Sequence, residues 1–523
     1  MNYRGGTSPK RRRLRIPMPD GTTQLAEEYL PATSRATPVV LMRTPYGRRG
    51  AAARLAGKAL AERGMRLVVQ SVRGTSGSGG QFRPFRQERA DGLATVDWLR
   101  AQPWCDGRVA MIGASYVGHT QWALAPYVRP RLAAMCPGAI TSELNESFYP
   151  GGALALDNLF SWACTLPGRE DPSPRGKLAS VVAFLRSRRS MMRLPLAEAD
   201  RAATGRAVPF WQEILGHADT PDDHWEPAEQ RTAIRALDTP VSMVTGWHDP
   251  FLVGQLADFT ALTAAGNQTR ITVGPWAHRD TAMFRATLAD QLSWLSTQLG
   301  EATNERARRP VRLHIQRANQ WREFDQWPPA HGFPRRLHLH RGERLRWHPP
   351  ADGGVLAEFT YDPADPTPTI GGPMLRGKTR QQNNRRIEAR SDVLVCTSDP
   401  LRDDLDIVGT PSTELTLDTV PGNADVFVRL CDVDSWGVSR NVTDGILRCA
   451  DQARASTVRV PLSPTAYRFR RGHRLRIQLA GGAFPRFARN HGTGERPQDA
   501  VRVAGIHYRV AAGSYLELPV LPS

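Results

Sequence analysis

The sequence predicts an α/β domain, interrupted by a helical insertion and followed by an all-β domain. Three observations carry this. In the first third, short apolar runs alternate with helical patterns of about 10 to 14 residues, the grammar of a parallel sheet covered on both faces. The alternation lapses between about residues 143 and 236 and resumes near 240. From about residue 310, candidate strands recur between turn-rich pieces, as in a β-sandwich. The 523 residues are too many for one ordinary core and suit about three domains.

Each element follows from its own residues. Pro38–Arg43, Arg66–Gln70, Arg108–Ile112 and Leu132–Cys136 are compact apolar runs and read as strands. Between them Ala51–Arg63, Glu88–Ala101 and Tyr116–Ala125 show helical patterns. Gly152–Thr165 and Leu178–Met192 are helical runs with no clear strand near them, so they read as an insertion over the functional edge of the sheet, a lid. Pro240–Thr245 and Arg270–Val273 resume the strands, with helices at Leu252–Ala265 and Asp280–Leu299. Val311–Gln316, Arg336–His340, Glu414–Thr419, Asp425–Asp432, Ser456–Pro461, His473–Leu479 and Ser514–Val520 are the strands expected of the β region.

Composition excludes several classes. Hydrophobic residues are 40% and charged residues 23%, as in globular proteins. The longest uncharged stretch, Val109–Val128, holds Ser115, His119, Thr120 and Gln121 and makes a poor bilayer span. Met1–Arg15 is basic without an apolar core, so no secretory signal is read there. The net charge is +18, and only four of the 69 basic residues are Lys. The Arg residues are spread along the chain, apart from Lys10–Arg13. A nucleic-acid or polyanion binder concentrates such charge in a stripe or tail, so that reading ranks below a solvated basic surface. The six cysteines form no C-x-x-C pair and no zinc spacing, which points to reduced thiols in a cytoplasm. No metal or cofactor is expected.

The chemistry begins at Gly113-Ala114-Ser115-Tyr116-Val117-Gly118, which follows an apolar strand and opens a helix. A nucleophilic serine sits on such a strained turn, where small neighbours let the backbone fold back. The second small residue stands one place late, at Gly118. A serine that merely caps a helix is the ordinary alternative. The nucleophile needs a His base and an acid that orients it. Asp249 and His278 follow in order, each at the C-terminal end of a resumed strand. His248 competes as base, but it adjoins the acid and its side chain should point elsewhere. The backbone N–H of Tyr116 is one expected oxyanion donor. Tyr46, after Pro45, offers a phenolic O–H, although a Tyr there is more often packing.

These motifs resemble the cocaine esterase and X-Pro dipeptidyl-peptidase family of serine hydrolases. Further matching pieces include Met18-Pro19-Asp20-Gly21, Arg43-Thr44-Pro45-Tyr46, Pro103-Trp104-Cys105-Asp106-Gly107, Gly246-Trp247-His248-Asp249 and Gly274-Pro275-Trp276-Ala277-His278. Asn441-Val442-Thr443-Asp444-Gly445 and Phe484-Pro485-Arg486-Phe487 extend the match into the β region. The resemblance implies an α/β-hydrolase fold with an inserted helical cap and a C-terminal jelly roll. The divisions expected are 1–142 and 237–330 for the hydrolase core, 143–236 for the cap and 331–523 for the jelly roll. It implies Ser115 as nucleophile, Asp249 as acid, His278 as base, and Tyr46 with the Tyr116 N–H as the oxyanion hole. Where the family often has Asp-x-Arg-Gly, this chain has Ser71-Val72-Arg73-Gly74, which bears on how Arg73 is held.

The leading reading is hydrolysis of a carboxylic ester, or less readily an amide, through an acyl-enzyme on Ser115. Trp162 and Phe251 are expected to line the substrate pocket. The alternative is an X-Pro dipeptidyl peptidase or an α-amino acid ester hydrolase. Those need a carboxylate for the substrate amine, for which Glu143, Glu146 and Asp157 are candidates. The expected partner is a small-molecule ester or amide, with no nucleic acid and no membrane; a homo-oligomer stays open.

Overall fold

The computed structural model describes residues 9–170, 173–217, 230–300, 308–330, 332–351, 353–449 and 456–522. The expected boundary at residue 331, and residues 171–172 and 218–229 of the expected insertion, lie outside the described residues.

Ten strands build the first sheet: β1 (Arg11–Pro17), β2 (Thr23–Tyr29), β3 (Thr37–Thr44), β4 (Arg66–Ser71), β5 (Cys105–Ala114), β6 (Ala134–Gly138), β7 (Val241–His248), β8 (Thr269–Ala277), β9 (Val311–Ile315) and β10 (Gln320–Phe324). Their order is β1-β2-β4-β3-β5-β6-β7-β8-β9-β10. The centre, from β4 to β9, is parallel. β1 and β2 form an antiparallel hairpin, and β10 folds back antiparallel on β9. β4 and β6 to β8 are almost wholly buried, as befits parallel strands covered on both faces. The helices Ala51–Ala61, Glu88–Arg100, Tyr116–Trp122, Leu252–Ala264 and Thr281–Leu299 supply the cover.

β9 corrects the sequence reading. Run by run, Val311–Gln316 is read among the strands of the β region, although the division at 331 that the resemblance implies leaves it with the hydrolase core. Instead it pairs parallel with β8, Ile271 opposite Val311, and buries Val311, Leu313 and Ile315 in the first core. A short apolar run carries no mark of which sheet it will join; that is set by a long-range pairing.

Between β6 and β7 the chain is helical and has no strand among the described residues. Leu156–Ala163, Pro174–Ser190 and Pro209–Gly216 are its longer helices. Their apolar residues, among them Phe160, Phe210, Trp211 and Ile214, join the same core as the sheet. The C-terminal part is β-rich: a twelve-stranded sheet with its own core, including Leu337, Tyr361, Leu415, Val428, Ile477 and Leu516. Its pairings are antiparallel except for Arg344–Arg346 with Val393–Ser398. Strands that sequence missed here include Val355–Tyr361, Leu405–Gly409 and Ser439–Cys449. No helix among the described residues is long and apolar enough to cross a membrane.

Candidate active site

The site lies where β5, β7 and β8 end. β5 buries Val109, Ala110, Met111 and Ile112, then turns sharply into the helix Tyr116–Trp122. Ser115 sits at that turn with φ 59° and ψ −134°, a conformation L-residues rarely hold. Gly113 and Gly118 make it feasible. A Cβ on Gly113 would lie 2.1 Å from Val117 Cγ1, and one on Gly118 2.5 Å from Ile140 Cγ2. The displaced glycine now has its reason. Val117 fits because Gly113 has no side chain, while position 118 is the one crowded by β6 and its loop.

β7 and β8 deliver the partners. A Cβ on Gly246 would lie 2.1 Å from the Trp276 carbonyl, so only a glycine lets the two strand ends approach this closely. Asp249 and His278 leave these ends side by side. His278 Nδ1 lies 2.8 Å from Asp249 Oδ2, and His278 Nε2 lies 3.1 Å from Ser115 Oγ. Asp249 is buried, and its Oδ1 accepts the Phe251 N–H at 2.9 Å. With Nδ1–H donated to the carboxylate, Nε2 is left unprotonated toward the serine hydroxyl. His248 points elsewhere, as expected: it is buried beside Gln316, and desolvation lowers its pKa to about 4.

Around Ser115 is a cavity of about 60 Å³ whose lining includes Tyr46, Phe85, Tyr116, Trp162 and Phe251. Both expected substrate contacts, Trp162 and Phe251, are therefore at the serine. Tyr46 is 45% exposed, so it is not core packing. It also lines a second cleft of about 560 Å³, on the side of His278 and Phe284. Tyr116 heads its helix, where backbone N–H groups have no acceptor within the helix. Its side chain is engaged elsewhere. The phenol donates to Glu88 Oε1 at 2.8 Å and accepts the Phe85 N–H at 3.1 Å. Glu88 in turn pairs with buried Arg43 at 2.8 Å. Burial holds the Tyr116 phenol well above its ordinary pKa and raises that of Glu88 as well.

Sequence reasoning missed Phe85. It sits in a loop at φ 68° and packs its ring 4.8 Å from Tyr116 and 5.7 Å from Trp162. A loop residue has no periodicity to betray it. Leu375, which reaches the pocket from the β-rich part, left no signal either. Its N–H donates to Asn158 Oδ1 at 2.9 Å. Arg73 is held by Asp91, at 2.9 and 2.5 Å, and by Asp20 at 2.5 Å, so the Ser at position 71 does not release it.

None of the candidate amine-binding carboxylates is among the described residues lining this cavity. Glu143 and Glu146 pair with Arg231, at 2.5 and 3.1 Å. Asp157 lies 3.3 Å from Ser161 Oγ and lines a different cavity. No carboxylate is among the described residues lining the cavity at Ser115. Among the described residues no group of three His, Cys, Asp or Glu side chains could hold a metal. All six cysteines are free thiols, five of them buried.

Comparison with known proteins gives this geometry a family. The X-Pro dipeptidyl-peptidase (S15 family) model matches residues 20–280. The X-Pro dipeptidyl-peptidase C-terminal non-catalytic domain matches residues 302–517. The chain belongs to the X-Pro dipeptidyl-peptidase family of serine hydrolases. The cocaine esterase of Rhodococcus sp. (strain MB1 Bresler) is 27% identical to this S15 hydrolase, over 97% of both chains. An aminopeptidase from the marine sediment archaeon Thaumarchaeota archaeon superposes with a TM-score of 0.84 at 21% identity, covering 100% of this chain and 99% of its own. An α-amino acid ester hydrolase superposes with a TM-score of 0.82, also at 21% identity, covering 99% and 98%. The family chemistry is hydrolysis of ester or peptide bonds, and this chain is an enzyme of that class. An α/β N-terminal domain and a β-rich C-terminal domain are the parts it shares with its relatives.

Proposed function

We propose that the protein is a serine esterase for carboxylic esters with an uncharged, apolar acyl group, and that Ser115, His278 and Asp249 are its triad. The observation that carries the proposal is the unbroken chain Ser115 Oγ–His278 Nε2–Nδ1–Asp249 Oδ2, at 3.1 and 2.8 Å, beside a pocket walled by aromatic rings. Ser115 Oγ attacks the ester carbonyl carbon while His278 Nε2 takes its proton. His278 returns that proton to the leaving alkoxide as the C–O bond breaks, and the acyl group stays on Ser115. Water then attacks the acyl-enzyme with His278 again as base, releasing a carboxylic acid. The Tyr116 N–H and the Tyr46 hydroxyl stabilise the tetrahedral oxyanion.

In this reading the acyl group sits against Phe85, Trp162 and Phe251, and the alcohol portion faces the cleft beside His278. Residues 143–236 act as a helical cap between the core segments 1–142 and 237–330, and 331–523 form a jelly roll. The enzyme works in the cytoplasm. An α-amino acid substrate is disfavoured, because no carboxylate is among the described residues lining the cavity at Ser115, and an ammonium buried there unpaired is costly. Amide cleavage is disfavoured for the same substrates only by the poorer leaving group.

A fluorophosphonate probe tests the nucleophile: it should label the parent chain and leave a folded Ser115→Ala variant unlabelled. Labelling of both would sink the assignment. Paired substrates test the acyl group. Phenyl benzoate should turn over faster than the phenyl ester of phenylalanine, and N-acetylation of the latter should not abolish its cleavage. Strict dependence on a free amine would favour the alternative of an X-Pro dipeptidyl peptidase or α-amino acid ester hydrolase.

A further inference from the structure

The helix Pro174–Ser190 is inside out. Its large aliphatic residues Leu178, Val181 and Leu185 are 64%, 55% and 69% exposed. Its buried positions are small: Gly176, Ala183, Ser187 and Ser190. At about 100° per residue the three aliphatics fall within roughly 60° of one another, a single stripe opposite the packed face. The stripe has charged margins. On the same wheel Arg175 and Arg186 stand on one side, and Arg188 on the other. Arg189, also exposed, falls beside Leu178 on the side of Arg175 and Arg186. The helix contains no acidic residue. Arg376 adds a further cation from the β-rich part, its guanidinium 4.3 Å from the Phe184 ring.

We propose that this helix is a docking surface for an anionic lipid interface. An apolar stripe between two basic margins lets the aliphatic side chains sink below the headgroups while the cations meet the lipid phosphates. Charge complementarity selects this occupant. A second copy of the chain, paired helix to helix, would set basic margins against basic margins. A nucleic acid would satisfy the cations and leave three large aliphatics in water. The contact is peripheral and needs no membrane span. The helix packs beside Leu156–Ala163, whose Leu159 and Trp162 line the pocket at Ser115, so docking sets the catalytic pocket one helix away from the lipid phase.

The test is co-sedimentation of the full chain with sucrose-loaded vesicles, either pure phosphatidylcholine or an equimolar mixture with phosphatidylglycerol. Binding to the anionic vesicles is expected, weakening as salt rises. The triple variant Leu178→Ser, Val181→Ser, Leu185→Ser keeps the net charge and alters only exposed positions. Its affinity should fall at least about tenfold. Three outcomes overturn the proposal. One is no binding by the parent chain. Another is equal binding by parent and variant, which would mean adsorption through net charge alone, for nucleic acid as much as for lipid. The last is a parent dimer in sedimentation equilibrium that the triple variant abolishes, which would give the face to a second copy.

Discussion

Tyr46 carries the sharpest consequence of the site at the residue scale. Acyl transfer builds charge on the carbonyl oxygen, and a donor already aimed there stabilises the transition state more than the bound ester. Tyr46→Phe keeps the ring and removes the O–H. If Tyr46 is one of two donors, kcat should fall on the order of 10²–10³, with KM little changed. A kcat within about threefold of the parent, far short of that loss, would leave the triad standing without this donor. Tyr116 needs the opposite treatment. From sequence, Tyr116→Phe looks mild, because only its backbone N–H is asked to act. The structure corrects this: the buried phenol bridges Glu88 and the Phe85 N–H, so its loss strands two polar groups and loosens a wall of the pocket.

The strand ends do at the element scale what no single side chain can. β7 and β8 are parallel neighbours, and their loops carry Asp249 and His278, the proposed acid and base. The register slips between Gly246 and His248, where the Trp276 carbonyl presses against Gly246. Gly246→Ala would force these backbones apart, since backbone cannot rotate away as a side chain can. Overpacking of this kind typically costs about 1–3 kcal/mol. More tellingly, it should lengthen the Asp249–His278–Ser115 path and cut kcat at least about tenfold, because such catalysis tolerates little misplacement. A variant that lost stability but kept full kcat would show that the close approach serves packing alone.

Two expectations belong to the whole molecule. The first concerns acid. His119, His248 and His491 are buried, and desolvation lowers their pKa values to about 3, 4 and 4. Between those values and the ordinary 6.5, the unfolded chain binds protons that the folded chain does not. Stability is therefore lost as pH falls from about 6.5. Asp258 works the other way. Its pKa is raised to about 6, so the folded chain gains a proton first there, and the upward shifts of Glu88 and Asp157 act alike. The net loss between pH 7 and 5 should be on the order of 2–4 kcal/mol, read as a falling Tm. A Tm flat across that range would contradict it. The second concerns truncation. Asp157 N–H donates to the Pro485 carbonyl at 3.0 Å, Ala488 N–H to Leu154 at 2.8 Å, and Arg489 Nη2 to Met192 at 2.7 Å. Arg380 pairs with Asp280, whose carboxylate also holds the Ala277 N–H beside His278. A fragment ending at residue 330 should lose these ties, expose apolar surface and be inactive or insoluble. A soluble fragment with full activity would show the β-rich part to be dispensable.

What the sequence determined by itself is local. The small-residue turn at Ser115 and the alternation of strands and helices are written in neighbouring residues, because strained turns and periodic patterns need particular side chains within a few positions. The tertiary structure decided what depends on distant meetings. It placed β9 on the first sheet, brought Phe85 and Leu375 to the pocket, and turned the Tyr116 phenol away from the reaction toward Glu88. It also paired Glu143 and Glu146 with Arg231, some 85 residues away from Glu146, a contact that no local pattern announces. Each of these is a pairing between groups far apart in the chain, and its geometry exists only once the strands have closed around a common core.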